Sequence, residues 1–517
     1  MKLLRAIFAA VLMLASGAAA AQNLVIGTKL ELNTLDPHFF SSFPTQSSHQ
    51  NLFDALVWLD KDLNQHPALA TEWKVIDDTT WEFKLRRGVK FHDGSDFDAD
   101  DVIATFKRVP NVPNSPNSFA QFTKSVKTIE KVDSHTLRMK TDAPNPTLSH
   151  DLSSVFIISK KFVDATTQDF NSGTAAVGTG PYKLVEWKNG ERLVMQRYDG
   201  YWGGPAPWAQ VTERILAKDS ARVAALLSDE VDVIDLVPSA DLPRLKEDKR
   251  FTLYSGAAAV IHYIALDSAR DDSPFVSAKD GSKLTKNPLR DARVRKALSL
   301  AINRTGIATR LMEGSAVPAA QLLPSSFDGT SKTLKVDPFD LERAKTLLRE
   351  AGWGDGFRLV LHATGDRYPK DSDIAQAIGQ TWTRLGLTVE VQALPGSIFF
   401  SRASKQEFSA FIAQYGTSEA SQALRALVAS WDTEKGFGTA NRTRHSNPEF
   451  DALFSRAVVT MDLAQRRTLL AQASEMAMRE QAVIPVFFPK WEFAAKKSVV
   501  VEVRADRRAN ALMMKPR

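Results

Sequence analysis

The most specific pattern in the chain is the stretch at residues 67–102, PALATEWKVIDDTTWEFKLRRGVKFHDGSDFDADDV. From Trp73 to Arg86 apolar residues alternate with charged ones, a period of two that is typical of half-buried strands. The polar run at 77–79 interrupts this alternation where a tight turn would join two antiparallel strands. Asp98 is a residue type preferred at a helix N-cap, and the acids after it suit the positive end of that helix. The stretch therefore predicts two strands followed by a helix.

The pattern changes toward the C-terminal half, where helical and strand-like segments alternate. Such alternation predicts an α/β lobe. The long polar segment at 266–287 is a candidate for the crossing into this second lobe. The predicted helices are 291–302, 340–351, 373–385, 447–459 and 463–479, and the predicted strands between them are 358–362, 388–391 and 411–414.

Length and composition exclude several classes of protein. The chain has 517 residues, too many for one core, so two or three domains are expected. Hydrophobic residues make up 44% and charged residues 24%, as in ordinary soluble proteins. The net charge of +6 comes from scattered residues, which argues against a nucleic-acid partner. The absence of cysteine excludes thiol nucleophiles, cysteine-bound metals, disulfides and a lipid anchor on an N-terminal cysteine.

The first 21 residues have the three-part pattern of an export signal. Lys2 and Arg5 are basic, residues 6–15 are apolar, and residues 16–21 are small and end in an A-x-A pattern. Cleavage is predicted before Gln22, and the alternative is an uncleaved N-terminal anchor. No later segment has 18 apolar residues in a row. The sequence thus predicts an exported, soluble protein that is not a lipoprotein.

Motifs for catalysis are absent. The sequence has no H-E-x-x-H, G-x-S-x-G, Walker-type or G-x-G-x-x-G pattern, and no two of its nine histidines share helical spacing. The glycine-rich run at 178–182, GTGPY, lacks the third glycine, the lysine and the helix of a phosphate loop, which favours a turn that leads into a strand. No catalytic residue, metal site or cofactor is predicted.

Residues 67–102 resemble the segment that identifies the periplasmic dipeptide- and oligopeptide-binding proteins of ABC importers, extracellular solute-binding protein family 5. Further blocks agree with this family in order and rough spacing, namely 34–37, 178–182, 291–297, 340–353 and 446–451. The resemblance covers nearly the whole mature chain. It implies an α/β fold of two lobes, joined by a hinge, that close over a solute.

The resemblance also implies the order of domains. The signal peptide is 1–21, the first lobe starts at 22–50, an inserted subdomain of that lobe is 51–171, the first lobe continues at 172–264, the second lobe is 265–483, and the chain returns to the first lobe at 484–517.

Peptide binders of this family hold the free amine of the solute with an aspartate that follows an aromatic residue in the second lobe. The corresponding segment is 411–419, where Tyr415 takes the aromatic place and Ser418 falls at the aspartate place. Glu419 is the nearby carboxylate and a candidate amine anchor, and a solvated loop acid is the alternative. The serine leaves the solute class open between peptides and other molecules.

The basic residue that binds the carboxylate end in this family lies near Arg367 and Tyr368, just after a predicted strand. Strand ends in α/β lobes face ligand crevices, and arginine can grip a carboxylate with two hydrogen bonds. Arg367 is therefore a candidate anchor, and the alternative is a surface ion pair with Asp366 or Asp371.

Three first-lobe residues complete the predicted ligand-binding set. Glu31 and Leu32 fall where the first strand of the family ends against the ligand, with a solvated position and structural burial as their alternatives. Phe119 follows a proline-rich loop and is a candidate aromatic lid, with a contact in a small core as the alternative.

The resemblance implies a monomeric periplasmic solute-binding protein that captures peptides, or a peptide-like solute, and delivers them to the permease subunits of an ABC importer at the inner membrane. It implies no enzyme activity. A receptor for an opine, a sugar, haem or a nickel chelate is the main alternative. An exported hydrolase and a chaperone-like protein for unfolded segments are two others.

Overall fold

The computed structural model describes residues 22–29 and 32–517. The predicted signal peptide at 1–21 and the candidate residue Glu31 lie outside the described residues. The strands β1–β21 are, in order, Asn23–Thr28, Val57–Leu59, Gln65–Pro67, Ala70–Asp77, Thr80–Leu85, Val126–Asp133, Thr136–Thr141, Tyr182–Lys188, Arg192–Arg197, Gln210–Ile215, Val233–Ile234, Phe251–Ala257, Val260–Leu266, Val276–Ser277, Ala316–Pro318, Arg358–Thr364, Thr388–Leu394, Ala410–Gly416, Ile484–Lys496, Val499–Val501 and Met514–Pro516.

The helices α1–α14 are, in order, Phe43–Leu52, Ala99–Arg108, Leu148–Asp151, Thr167–Asn171, Asp219–Leu227, Leu242–Glu247, Ala292–Leu300, Arg304–Gly306, Leu341–Glu350, Asp371–Thr383, Gly396–Ser404, Ala420–Leu427, Pro448–Val459 and Leu463–Arg479. A π-helical turn, Ile307–Leu311, extends α8, and short 3-10 turns join other elements.

The first lobe is built around parallel pairing of β1 with β10 and β11, and β9 and β8 extend the sheet at one side. Its core contains Leu24, Tyr182 and Trp208, all buried. The indole of Trp208 donates to the backbone oxygen of Met514 (2.6 Å), which holds the C-terminal segment against this lobe.

A separate four-stranded sheet of order β4-β5-β7-β6 forms the inserted subdomain, with α2 beside it. The predicted strand, turn, strand and helix at 67–102 are present. Asp98 caps α2 reciprocally: its side chain accepts from Asp100 N (2.8 Å), and its own backbone N–H donates to Asp101 (2.8 Å).

The second lobe contains parallel strands in the order β17-β16-β18, flanked by helices that include α9 and α10. The predicted helices and strands beyond residue 290 are all found, with ends displaced by a few residues at most.

One long strand, β19, passes through both lobes. Its first half pairs with β13 and its second half with β12. The chain crosses between the lobes here and at Ala258–Ala259, where Ala258 N donates to Pro489 O (2.8 Å) and Ala259 N to Ala505 O (2.9 Å). The predicted boundary at 265 falls inside β13, which pairs along its whole length with β18.

Candidate functional site

A cavity of about 530 Å³ lies between the two lobes. The first lobe lines it with the start of α1, with α3 and with Asp506 and Arg508 near the C-terminus. The second lobe lines it with the end of β18 and with α12. A space walled by both lobes is where opening and closing would expose and enclose a solute.

The second-lobe wall begins where β18 ends at Gly416. Tyr415 and Ser418 both line the cavity, so the structure brings these two predicted residues to one wall. The loop between them is held by Thr417, whose hydroxyl bonds to Gln422 (2.8 Å) and accepts from Glu419 N (3.3 Å). Burial raises the pKa of Tyr415 above its ordinary value, so this phenol stays neutral and can act as a hydrogen-bond donor.

Glu419 caps α12 beside this wall. One carboxylate oxygen accepts from Arg466 (2.8 Å), and the other accepts from the backbone N–H (2.8 Å) and hydroxyl of Ser421. Burial alone would raise its pKa, but the charge of Arg466 together with the hydrogen bonds from Ser421 and Arg466 lowers the pKa below the ordinary value. Glu419 is therefore an ionised group whose two oxygens already have protein partners, unlike the solvated loop acid considered as its alternative.

Asp151 and His150 face Glu419 from α3 in the first lobe. Burial, with a contribution from the charge of Glu419, raises the pKa of Asp151 to about 7. Burial lowers the pKa of His150, and the charge of Glu419 offsets only part of this effect. At neutral pH this part of the cleft thus carries a neutral imidazole and a half-protonated carboxyl group.

The first-lobe wall also presents Arg508, which no sequence pattern indicated. Arg508 is 4% exposed and donates through one terminal nitrogen to the side-chain oxygen of Gln46 on α1. Its neighbour Asp506 is held by Arg504 through two hydrogen bonds of 2.9 and 2.7 Å. The signal that could have found this group is the run R-A-D-R-R at 504–508, which is densely charged for a segment that follows a strand.

Arg425, on α12, is the second cavity residue that sequence reasoning missed. Its guanidinium lies 5.4 Å from the ring centroid of Phe437. Burial lowers its pKa from the ordinary value, which still leaves it charged at neutral pH. In the sequence it looks like an ordinary charged residue on an amphipathic helix.

Arg367 and Tyr368 lie outside the residues that line this cavity. Arg367 is exposed, and its guanidinium lies near the rings of Tyr368 (5.6 Å) and Phe400 (5.1 Å). Its backbone N–H donates to Asp371 (3.2 Å), so its contact with that acid is through the main chain. Tyr368 packs edge-on against His262 in the second lobe.

Two first-lobe candidates are buried away from the cavity. Leu32 is 3% exposed and belongs to the core of the first lobe. Phe119 is fully buried in a small cluster with Val109 and Val155, and its neighbour Phe122 lines the cavity instead. Both positions match the structural alternatives, because in each case a large apolar side chain is enclosed by its own lobe.

In the part of the chain that the structure describes, no three acidic or histidine residues are grouped so that they could hold a metal ion. Among the same residues, no helix is long and apolar enough to cross a membrane.

Comparison with known families identifies the chain. Residues 64–435 match the family described as bacterial extracellular solute-binding proteins, family 5 middle. The chain belongs to this family. The family predicted from the sequence and its α/β two-lobe fold are thereby confirmed.

Curated relatives of this family 5 protein differ in the solutes that their names state. The chain is 27% identical to the haem-binding protein A of Haemophilus influenzae over 85% of its own length and 82% of the relative's. It is 27% identical to the dipeptide-binding protein of Escherichia coli K12, with 91% and 90% covered. It is also 27% identical to a glutathione-binding protein of Salmonella paratyphi A, with 93% and 92% covered.

Solved structures agree in fold. HbpA2 from Haemophilus parasuis superimposes with a TM-score of 0.83 at 22% identity, covering 96% of this chain and all of the other. A periplasmic murein tripeptide-binding protein in its unliganded open form also gives 0.83, at 23% identity, with 96% and 98% covered.

Proposed function

We propose that this family 5 protein is the receptor of an ABC importer and captures a peptide or peptide-like solute between its lobes. The observation that carries the proposal is the cavity between the lobes, to which both lobes contribute charged and hydrogen-bonding side chains. Such a site binds its solute without making or breaking covalent bonds, since closure of the lobes replaces the solvent around the solute by fixed polar groups.

The size of the cavity supports a small solute. A volume of about 530 Å³ falls within the ~300–1,000 Å³ of pockets that enclose small-molecule ligands. Peptides of two or three residues are of this size. The polar groups also suit a zwitterion, because arginines and carboxyl groups face the same space.

The family supports the remaining parts of the proposal. A receptor of this kind works outside the inner membrane, so the mature protein begins at Gln22 after removal of the export signal. It acts as a monomer that docks on permease subunits and catalyses no reaction.

A thermal-shift screen of the mature protein, refolded from denaturant to remove any bound solute, tests this function. The panel contains di- to pentapeptides, glutathione, haem and nickel–histidine. A ligand present at 100 times its Kd adds about 2.7 kcal/mol of stability, which raises the melting temperature by a few degrees. A shift with peptides or glutathione supports the proposal. A shift confined to haem or nickel–histidine would overturn the peptide assignment.

A further inference from the structure

The floor of the cleft contains a buried arginine whose hydrogen-bonding capacity is largely unused. Arg508 lines the cavity and is 4% exposed, yet its Nε and one terminal nitrogen donate no hydrogen bond to any residue within 22–29 or 32–517. Its third nitrogen donates to Gln46. Buried donors in proteins are almost always satisfied, so two free donors on a charged group call for a partner from outside the chain.

The charges around Arg508 do not balance. Asp506 is the nearest acid, with its Oδ2 3.4 Å from Arg508 Nε, but both its oxygens already accept hydrogen bonds from Arg504. The guanidinium groups of Arg504 and Arg508 therefore share the carboxylate of Asp506, so this cluster of three buried side chains carries one net positive charge. A buried charge is costly without a counterion. An anion delivered with the solute would supply it.

A second arginine approaches the same cavity from the other lobe. Arg425 lines it from α12, and no carboxylate among the described residues lies within ion-pair distance of its side chain. Gln422 lies on the same face of α12 as Arg425 and also lines the cavity. Its side-chain amide offers a neutral hydrogen-bonding group. When the lobes close, the positively charged side chains of Arg508 and Arg425 would therefore both contact one solute.

We propose that Arg508 and Arg425 form an anion subsite of the cleft that binds a carboxylate of the solute. This inference rests on the proposed function and deepens it, since it assigns the solute to the class of acidic or C-terminally free peptides and their analogues. The carboxylate comes either from a peptide terminus or from an acidic side chain, and the chemistry of recognition is the same. Two arginines can each present a fork of N–H donors to it.

The first experiment tests the subsite without any peptide. Melting temperatures of the wild-type protein and of Arg508→Gln are compared in sodium glutarate and in sodium chloride at equal ionic strength. Glutarate is expected to raise the melting temperature of the wild type by about 2 °C over chloride, and this difference is expected to vanish in Arg508→Gln. An equal response of both proteins, or none in the wild type, would overturn the proposal even if peptides bind.

The second experiment is a thermodynamic cycle measured by calorimetry with trialanine, its C-terminal amide, and Ala-Glu-Ala amide. Amidation of trialanine is expected to weaken binding to the wild type by about 10- to 100-fold and to change binding to Arg508→Gln little. Recovery of affinity by Ala-Glu-Ala amide would identify a side-chain carboxylate as the bound group. No recovery would identify the terminus.

Two results would contradict the anion subsite in this cycle. One is equal binding of trialanine and its amide to the wild type. The other is a carboxylate preference that survives in Arg508→Gln and is lost in Arg367→Gln, which would move the anchor to the exposed arginine. If no peptide binds at all, the peptide function fails, and the glutarate comparison still decides the subsite.

Folding of the variants is checked by their melting temperatures in chloride. Arg508→Gln leaves the pair of Arg504 and Asp506 intact and removes an unbalanced charge, so it is expected to melt no more than a few degrees below the wild type. The same calorimetric cycle, measured on Arg425→Gln, tests the arginine of the other lobe. It keeps the proposal testable if Arg508→Gln does not fold.

Discussion

At the scale of single residues, the carboxyl group of Asp151 makes stability depend on pH. Its pKa is raised to about 7 by burial and by the charge of Glu419, well above the ordinary value near 3.8. The folded state therefore holds this proton more tightly than the unfolded state. The resulting stabilisation is fully present below about pH 4 and is lost as the pH rises through 7.

The variant Asp151→Asn isolates this effect from other titrating groups. The free energy of unfolding of the wild type, relative to Asp151→Asn, is expected to fall by about 2–3 kcal/mol between pH 5 and pH 8. Urea denaturation of both proteins at the two pH values measures it. A difference that does not change with pH would show that Asp151 ionises normally in the folded protein, and one that rises would show that its pKa is lowered.

Glu419 offers a second prediction at this scale, because its role as an amine anchor and its structural role can be separated. Replacing it by glutamine leaves Arg466 buried without its carboxylate, at an expected cost of about 3 kcal/mol of unfolding free energy. Since both oxygens are already engaged, the Kd for a peptide is expected to change less than about threefold.

Ser418→Ala is the matched control for Glu419→Gln, since Ser418 lines the same wall without an ion pair. It is expected to change stability by less than about 0.5 kcal/mol. Urea denaturation and calorimetry on both variants measure the two quantities. A Glu419→Gln protein of normal stability that no longer binds peptides would instead favour Glu419 as the amine anchor.

The residues of the site divide into those that sequence could locate and those that it could not. Tyr415 and Ser418 were found through the resemblance to family 5, whose aromatic and aspartate places fall on them, and both line the cavity. Arg508 and Arg425 look like ordinary surface arginines in the sequence. Their burial depends on contacts between distant parts of the chain, such as that of Arg508 with Gln46, and no local spacing encodes such contacts.

At the scale of elements, the two most recognisable motifs of the chain bind each other. The backbone N–H of His92 donates to Gly178 O (2.8 Å), and its ring bonds to Gly180 O (3.0 Å) and accepts from Gly178 N (3.3 Å). Burial lowers the pKa of His92 to about 4, so the ring stays neutral and keeps both bonds at neutral pH. The motifs thus join the inserted subdomain to the first lobe, in agreement with the predicted turn at 178–182.

The glycines of this junction cannot carry a side chain. A Cβ on Gly180 would lie 2.5 Å from the carbonyl carbon of Leu52, which is backbone and cannot move aside. Gly180→Ala is therefore expected to lower the free energy of unfolding by at least about 2 kcal/mol. Gly204→Ala is the control, because Gly204 has open space around it and only a left-handed backbone (φ +89°), which costs about 1 kcal/mol.

Both glycine variants are compared by urea denaturation and by the yield of folded protein. A Gly180→Ala protein as stable as Gly204→Ala would mean that the junction can open to admit a methyl group.

Elements were more predictable than their assembly. The period of two at 67–86 and the N-cap at Asp98 gave the correct local structure, because both signals act within a few residues. The predicted start of the second lobe at 265 falls inside β13, because composition does not mark where the chain passes from one lobe to the other. Only the pairing of β13 with β18 shows to which lobe this strand belongs.

At the scale of the whole molecule, the two crossings at Ala258–Ala259 and along β19 define how the lobes can move. The first is a two-residue link between β12 and β13, and the second lies within a continuous strand, so a few backbone angles at these places can absorb a rigid-body rotation. A solute that ties Arg508 of one lobe to Arg425 of the other would stabilise the closed arrangement by its contacts with both. Binding is therefore expected to shift the population of lobe positions toward closure.

Spin labels can measure this closure cleanly because the chain has no cysteine. Lys124 of the first lobe lines a smaller crevice that both lobes form at the rim of the cleft, and Val459 of the second lobe lies beside it. Both residues are exposed. In the Lys124→Cys, Val459→Cys protein, the distance between labels is expected to shorten by several ångströms when a peptide from the panel binds. The pair Asp355→Cys, Val459→Cys lies within the second lobe and should keep its distance. Peptide binding that leaves the first distance unchanged would mean that the lobes capture the solute without closing. Arg425 would then attract the solute by its charge without contacting it.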